Sequence, residues 1–243
     1  MNLDRVTITG ADESIAPKWL INTSLRWPFV EWGILVGRSR QGTTRYPSAD
    51  WIHRLKVLCG GLPINLSLHV CGHWVRELLL GRNELPVDLI DGFRRVQLNF
   101  HAEKTACDAE AMHRALAVLG ERQFIFQIDG VNGNKHLESL YEANLVAPQG
   151  IDAVPLFDLS GGAGILPEKW PRPMHYGVRP VFGYAGGLGP ENLAEQLPLI
   201  AEAAGTTRFW IDMETKVRSH DDELFDLSKV TDCLKIAAPH VSS

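Results

Sequence analysis

A chain of 243 residues with 45% hydrophobic and 22% charged residues has the composition of a globular protein and excludes a disordered one. Its net charge of −5 supplies no global field toward nucleic acid or an anionic membrane, so neither partner is expected. No apolar stretch approaches the roughly 20 residues needed to cross a bilayer. The polar opening Met1–Arg5 precedes an apolar run of only strand length, and the default expectation is a cytoplasmic chain.

Strands are expected at Arg5–Thr9, Phe29–Val36, Ile64–Val70, Arg94–Phe100, Gln123–Ile128, Ala153–Asp158, Pro180–Tyr184 and Arg208–Met213. They start roughly every 25 to 35 residues, the size of one βαβ unit. Runs such as Phe124-Ile125-Phe126 and Phe209-Trp210-Ile211 are apolar throughout, as parallel strands covered on both faces must be. Between strands, Ser48 caps a helix Ala49–Leu58 that Gly60-Gly61 ends. Pro190 marks a first helical turn, followed by Leu193, Leu197, Ile200 and Ala204 in helical rhythm up to Gly205. Asp226 caps a closing helix with Leu227, Val230 and Leu234 on one face. The stretch Pro167–Pro180 carries four prolines and holds at most a short turn, so the sixth helix is short or degraded. Eight such units in a chain near the ~250 residues typical of this architecture predict a single (β/α)8 TIM barrel spanning residues 1–243. Cys59, Cys71, Cys107 and Cys233 form no CxxC pair and read as reduced, mostly buried thiols. Trp19, Trp27, Trp32, Trp51 and Trp74 are expected to pack helices onto the barrel, and His73, His113 and His136 to lie on the surface.

Function in such a barrel sits on the loops after the strands. Two glycine clusters fall there: Ser160 to Gly164, containing Gly161, Gly162 and Gly164, and Ala185 to Asn192, containing Gly186 and Gly187. One cluster alone reads equally well as a tight turn. Two on neighbouring strand ends favour a cradle of backbone N–H groups for phosphate or a similar anion. Asp158, just before the first cluster, is the candidate general acid if burial raises its pKa. His69, His101, Gln127, Asp129 and Glu214 also fall near strand ends. Their spacing matches no ligand motif, so they read as polar residues lining a pocket, and no metal and no cofactor are expected.

The run from Phe157-Asp158 through Gly161-Gly162-Ala163-Gly164 to Trp170, then Ala185-Gly186-Gly187-Leu188-Gly189-Pro190-Glu191-Asn192-Leu193, resembles phosphoribosylanthranilate isomerase. Thr44-Arg45-Tyr46-Pro47-Ser48 looks like the family's SxRYxS segment, and Val96-Gln97-Leu98 like its VQLH strand with Asn99 in place of the histidine. The resemblance implies a cofactor-free Amadori rearrangement in tryptophan biosynthesis, on a phosphorylated aminosugar. Asp158 would be the acid, Arg45 would meet the substrate carboxylate, and the glycine loops would hold phosphate. Two positions depart from the family. Its cysteine base falls on Thr9, a far weaker base, which leaves Cys71 and His69 as local substitutes. Its D-V-S-S-G-V-E segment is here Asp212-Met213-Glu214-Thr215-Lys216-Val217-Arg218. Glu214 would repel a phosphate there, while Lys216 and Arg218 would attract one. The expected partner is thus a small anionic, phosphorylated substrate, and the chain a monomer or homodimer. The alternatives are a lyase or other isomerase on the same scaffold, with Lys216 as a Schiff-base candidate, or a ligand-binding barrel without catalysis.

Overall fold

The computed structural model describes residues 2–100, 106, 108–128, 134–148, 150–159, 163–173 and 181–242. Eight parallel strands close into a barrel in chain order. They are β1 (Leu3–Thr9), β2 (Val30–Gly37), β3 (Asn65–Cys71), β4 (Arg95–Asn99), β5 (Gln123–Ile128), β6 (Asp152–Phe157), β7 (Val181–Ala185) and β8 (Arg208–Met213). Each expected strand is present, with its ends within two residues. The helices are α1 (Pro17–Arg26), α2 (Ala49–Cys59), α3 (His73–Leu79), α4 (Val87–Ile90), α5 (Ala109–Ala117), α6 (Lys135–Glu142), α7 (Leu193–Ala204) and α8 (Leu227–Ala237).

The caps follow the local chemistry. Ser48 accepts from the Trp51 amide at the start of α2, and Asp226 accepts from the Ser228 and Lys229 amides at the start of α8. Pro190 lies in a turn ahead of α7 rather than in its first turn, because Asn192 takes the cap position. Between β6 and β7 no described residue is helical. Pro167, Pro171 and Pro173 cannot donate a backbone hydrogen bond, so that segment is fastened by side chains instead. Trp170 Nε1 donates to Gln196 of α7 at 3.0 Å, and Tyr184 of β7 donates its hydroxyl to the Pro171 carbonyl at 3.1 Å.

Outward-facing strand residues such as Val6, Ile8, Trp32, Ile34 and Leu68 pack against Leu20, Leu55, Leu78, Leu137, Leu197 and Val230 of the helices. Each such fully buried side chain contributes about 1.5–3 kcal/mol relative to exposure. Trp32, Trp51 and Trp74 are buried here as expected, whereas Trp19 of α1 is 48% exposed. His136 also departs from expectation. It is buried, its Nε2 is 3.0 Å from the Ala106 carbonyl, and its ring meets Phe100 edge-on.

Inside the barrel the lining is split. One side is apolar, with Ile125, Val154, Leu156 and Trp210. At the N-terminal floor the opposite side is ionic: buried Glu31 accepts from Thr7 at 2.9 Å, Arg95 at 2.6 Å and Arg5 at 3.0 Å. The Arg95 guanidinium also lies over the Trp210 ring at 4.3 Å, which ties β4 to β8 across the lumen. Among the described residues no helix is long and apolar enough to cross a membrane.

Candidate active site

The C-terminal mouth of the barrel holds two adjoining openings. The first lies between the ends of β6, β7 and β8 and is lined by Asp158, Gly164, Gly186, Gly187, Asp212 and Lys216. The second lies over β2 to β5 and is lined by Arg40, Arg45, Tyr46, Cys71, Asn99 and Gln127. Glu214 borders both.

Asp212 is a strongly perturbed carboxyl of the first opening. It is 7% exposed, and Thr9 Oγ1 donates to its Oδ1 at 2.8 Å. Burial raises its pKa from 3.8 to about 8 against that hydrogen bond, with further upward pushes from Glu214, Glu31 and Asp158. Thr9 therefore does face the lumen, but as the partner of Asp212. Asp158 is equally buried, and Gln127 Nε2 donates to its Oδ2 at 2.9 Å.

The loops after β6 and β7 press against each other. Gly187 has φ of 64°, and a side chain there would stand 2.7 Å from the Leu166 nitrogen and 2.8 Å from the Gly164 carbonyl. Asn192 locks the β7 loop by accepting from the Gly189 amide at 3.0 Å and donating to the Gly187 carbonyl at 2.9 Å. Gly161 and Gly162 lie outside the described residues, as do His101, Asp129 and Cys107.

The two substitutes for the family base fare differently from expectation. His69 is sealed in the lumen at 1% exposure, where burial holds its pKa down to about 3 despite the pull of Glu31. An imidazole so weakly basic and so enclosed takes no proton from a substrate. Cys71 does line the second opening, next to Asn99 Nδ2 at 3.3 Å, but burial pushes its thiol up to about 11. It is a protonated thiol at neutral pH, not a base.

The cations also sort unexpectedly. Arg45 holds φ of 71°, with its amide donating to Asp12 at 2.8 Å. Its guanidinium is taken by Asp222 at 2.7 Å and Glu214 at 2.5 Å, so it is already matched with carboxylates rather than open to a substrate's. Arg218 is wholly buried and does not reach the mouth as an anion receptor. It donates to the Gly10 carbonyl, to Asp12 at 2.9 Å and to Asp222 at 2.8 Å. Glu214 sits beside this cluster, its carboxyl raised by burial and lowered by Arg45. Lys216 borders the first opening, and Arg40 stacks over Tyr46 at the rim of the second.

Asp12, Asp222, Arg40 and Asn99 were not apparent as site residues in the sequence. Asn99 had a signal: polar residues at every second position, Ser67-His69-Cys71 and Arg95-Gln97-Asn99, mark the strand face turned into the lumen. Asp12 and Asp222 sit in loops and carry no comparable periodicity. Among the described residues no group of three His, Cys, Asp or Glu could hold a metal ion.

The sequence matches no family model and no curated protein. Among solved structures it is similar to a truncated form of 3-deoxy-D-arabino-heptulosonate 7-phosphate synthase from Thermotoga maritima. The identity is 11% and the TM-score 0.52, over 98% of this chain and 88% of that one. This likeness establishes the TIM-barrel fold.

Proposed function

We propose that this chain is an isomerase that moves a proton within a small, anionic, phosphorylated substrate, with Asp158 and Asp212 as its acid–base pair. The observation that carries this reading is the raised carboxyl of Asp212, lining one opening together with Asp158. A group with a pKa near the working pH both holds and releases a proton readily, which is what such catalysis needs. In an aldose-to-ketose rearrangement of the Amadori type, Asp212 gives its proton to the sugar ring oxygen as the ring opens. Asp158, steadied by Gln127, takes the proton from C2 to give an enolamine, and returning that proton to C1 while the C2 hydroxyl gives its own to Asp212 yields the ketone and restores both carboxyls. These roles differ from the resemblance, which makes Asp158 the acid. The clamped glycine turn ahead of α7 and the Lys216 ammonium supply the anion cradle.

The similarity of the sixth and seventh loops to phosphoribosylanthranilate isomerase makes phosphoribosylanthranilate the first substrate to try. Loss of anthranilate fluorescence on mixing, abolished in Asp158→Asn and Asp212→Asn, is the expected result. Silence from the unmodified protein would reject that substrate, and full activity in either variant would reject the pair. A second reading, a lyase working through a Schiff base, rests on Lys216 lining the same opening as Asp158 and Asp212, which would move protons for it. Borohydride trapping with carbonyl compounds tests it, and absence of any adduct on Lys216 counts against it.

A further inference from the structure

The floor of the barrel opens to solvent at the end opposite the two aspartates. The opening has a volume of about 1400 Å³ and is edged by the first residues of four strands, Asn65, Arg95, Gln123 and Asp152. Among the described residues, five Lys and Arg side chains line it, against the carboxylates Glu31, Glu121 and Asp152. The lining is thus net positive in a chain whose net charge is −5. Three of the cations are offset. Arg5 has Asp4 at 2.8 Å and Glu31 at 3.0 Å. Arg122 lies 3.6 Å from Asp91, and Lys56 donates to the Asp88 and Leu89 carbonyls with the Asp88 and Asp91 charges facing it. The other two are not. Arg94 is exposed and makes no ion pair with any described residue. Arg95 is 5% exposed and must share Glu31 with Arg5. Burial and the Arg5 charge hold its pKa below the ordinary arginine value, whereas Arg5, with two carboxylates, is raised. A buried guanidinium with a share of one carboxylate is under-compensated, and further negative charge brought to it is favourable. Phe93 gathers the remaining cations at the same edge: its carbonyl accepts from Arg122 at 3.1 Å, and Lys56 Nζ stands 5.2 Å from its ring.

We propose that this floor opening is a second binding site, for a small anion carrying two or more negative charges on phosphate or carboxylate oxygens, held by Arg94 and Arg95 with Arg122 and Lys56 beside them. Guanidinium groups suit such a ligand, because their planar fork meets two oxygens of a phosphate or carboxylate at once. One negative charge answers the surplus at Arg95 and another answers Arg94. A single charge leaves one of the two unmet, and Glu121 and Asp152 in the lining select further against a weakly charged anion. The site stands at the other end of the strands from Asp158 and Asp212, so it is separate from the catalytic mouth and does not depend on the reaction assigned there. A ligand that binds only the folded chain also stabilises it, and here it does so at the start of β4, between β3 and β5.

The test titrates inorganic pyrophosphate and citrate into the intact nitrogen-15-labelled protein and follows its NMR spectrum in wild type, Arg94→Glu and Lys216→Ala. Arg94 is exposed, so Arg94→Glu reverses a charge without disturbing the core. At low salt at least one of the two anions should shift the amides of residues 92–95 and 120–123 and the Arg95 Nε–H, saturating in the sub-millimolar range. Arg94→Glu should weaken that binding by at least about tenfold, as loss of a charge-assisted contact does. Added salt should weaken it too. Lys216→Ala, at the opposite mouth, should leave the floor shifts unchanged. Response to pyrophosphate alone would mark a phosphorylated ligand, response to citrate alone a polycarboxylate, and both support the site. Floor resonances unmoved by either anion, equal affinity in Arg94→Glu, or shifts that vanish in Lys216→Ala would overturn it.

Discussion

Glu31 at the floor of the barrel and Asp212 at its mouth are both carboxyls held away from solvent, at 1% and 7% exposure. Glu31 is met by two guanidiniums and a hydroxyl, and the charges of Arg95 and Arg5 hold it below its ordinary 4.5 against burial. Asp212 has the Thr9 hydroxyl and no cation bonded to it among the described contacts, and burial lifts it to about 8. The same desolvation thus yields a fixed anion at one end and a proton carrier at the other. What separates them is the number of opposite charges within reach. A buried carboxyl left uncompensated beside a polar opening is where chemistry is expected.

The largest effect expected is on the mouth. Asp212→Asn should lower kcat/KM by about 10²–10⁴-fold while leaving the protein no less stable at pH 8, as steady-state kinetics and calorimetry would read. A clear loss of stability there would erase the contrast with the floor. Glu31→Gln should do the reverse, with little effect on turnover. It leaves Arg95 and Arg5 short of their counter-charge and should cost about 3–5 kcal/mol in urea unfolding.

Their pH dependences should also oppose each other. Folding makes Asp212 keep a proton that the unfolded chain releases near 3.8, so its contribution falls as pH rises from about 4 to about 8. Glu31 binds its proton less tightly when folded, so its contribution is present above 4.5 and fades as pH drops below that. Unfolding midpoints across pH 3 to 9 should show an alkaline limb flattened in Asp212→Asn and an acid limb flattened in Glu31→Gln. If both variants alter the same limb, the assignment of charge states is wrong. A smaller effect is expected from Lys216→Ala. Losing one charge-assisted contact of about 1.5–3 kcal/mol should raise KM for a phosphorylated substrate with kcat nearly unchanged.

The strands were legible because a parallel barrel buries both faces of each one, and runs such as Phe124-Ile125-Phe126 have no other use. The proline-rich segment after β6 was legible for the opposite reason, its missing donors. The pairing of Thr9 with Asp212 was not, because these residues lie 203 positions apart and meet only when β8 closes on β1. The ion pairs of Arg45 and Arg218 were hidden for a related reason. Their sequence neighbourhoods look free, while the carboxylates that occupy them come from loops elsewhere in the chain. Loop side chains carry no periodic signature, so ion pairing between loops is the part of such a site that sequence conveys least.

Arg218 reaches Gly10 and Asp12 in the loop after β1 and Asp222 in the loop after β8, while Asp12 and Asp222 both reach Arg45 in the loop after β2. Three segments distant in the chain are thereby fastened through two arginines that share Asp12 and Asp222. They should loosen together or not at all, so slow amide exchange in the three loops would share a single opening event rather than three independent ones.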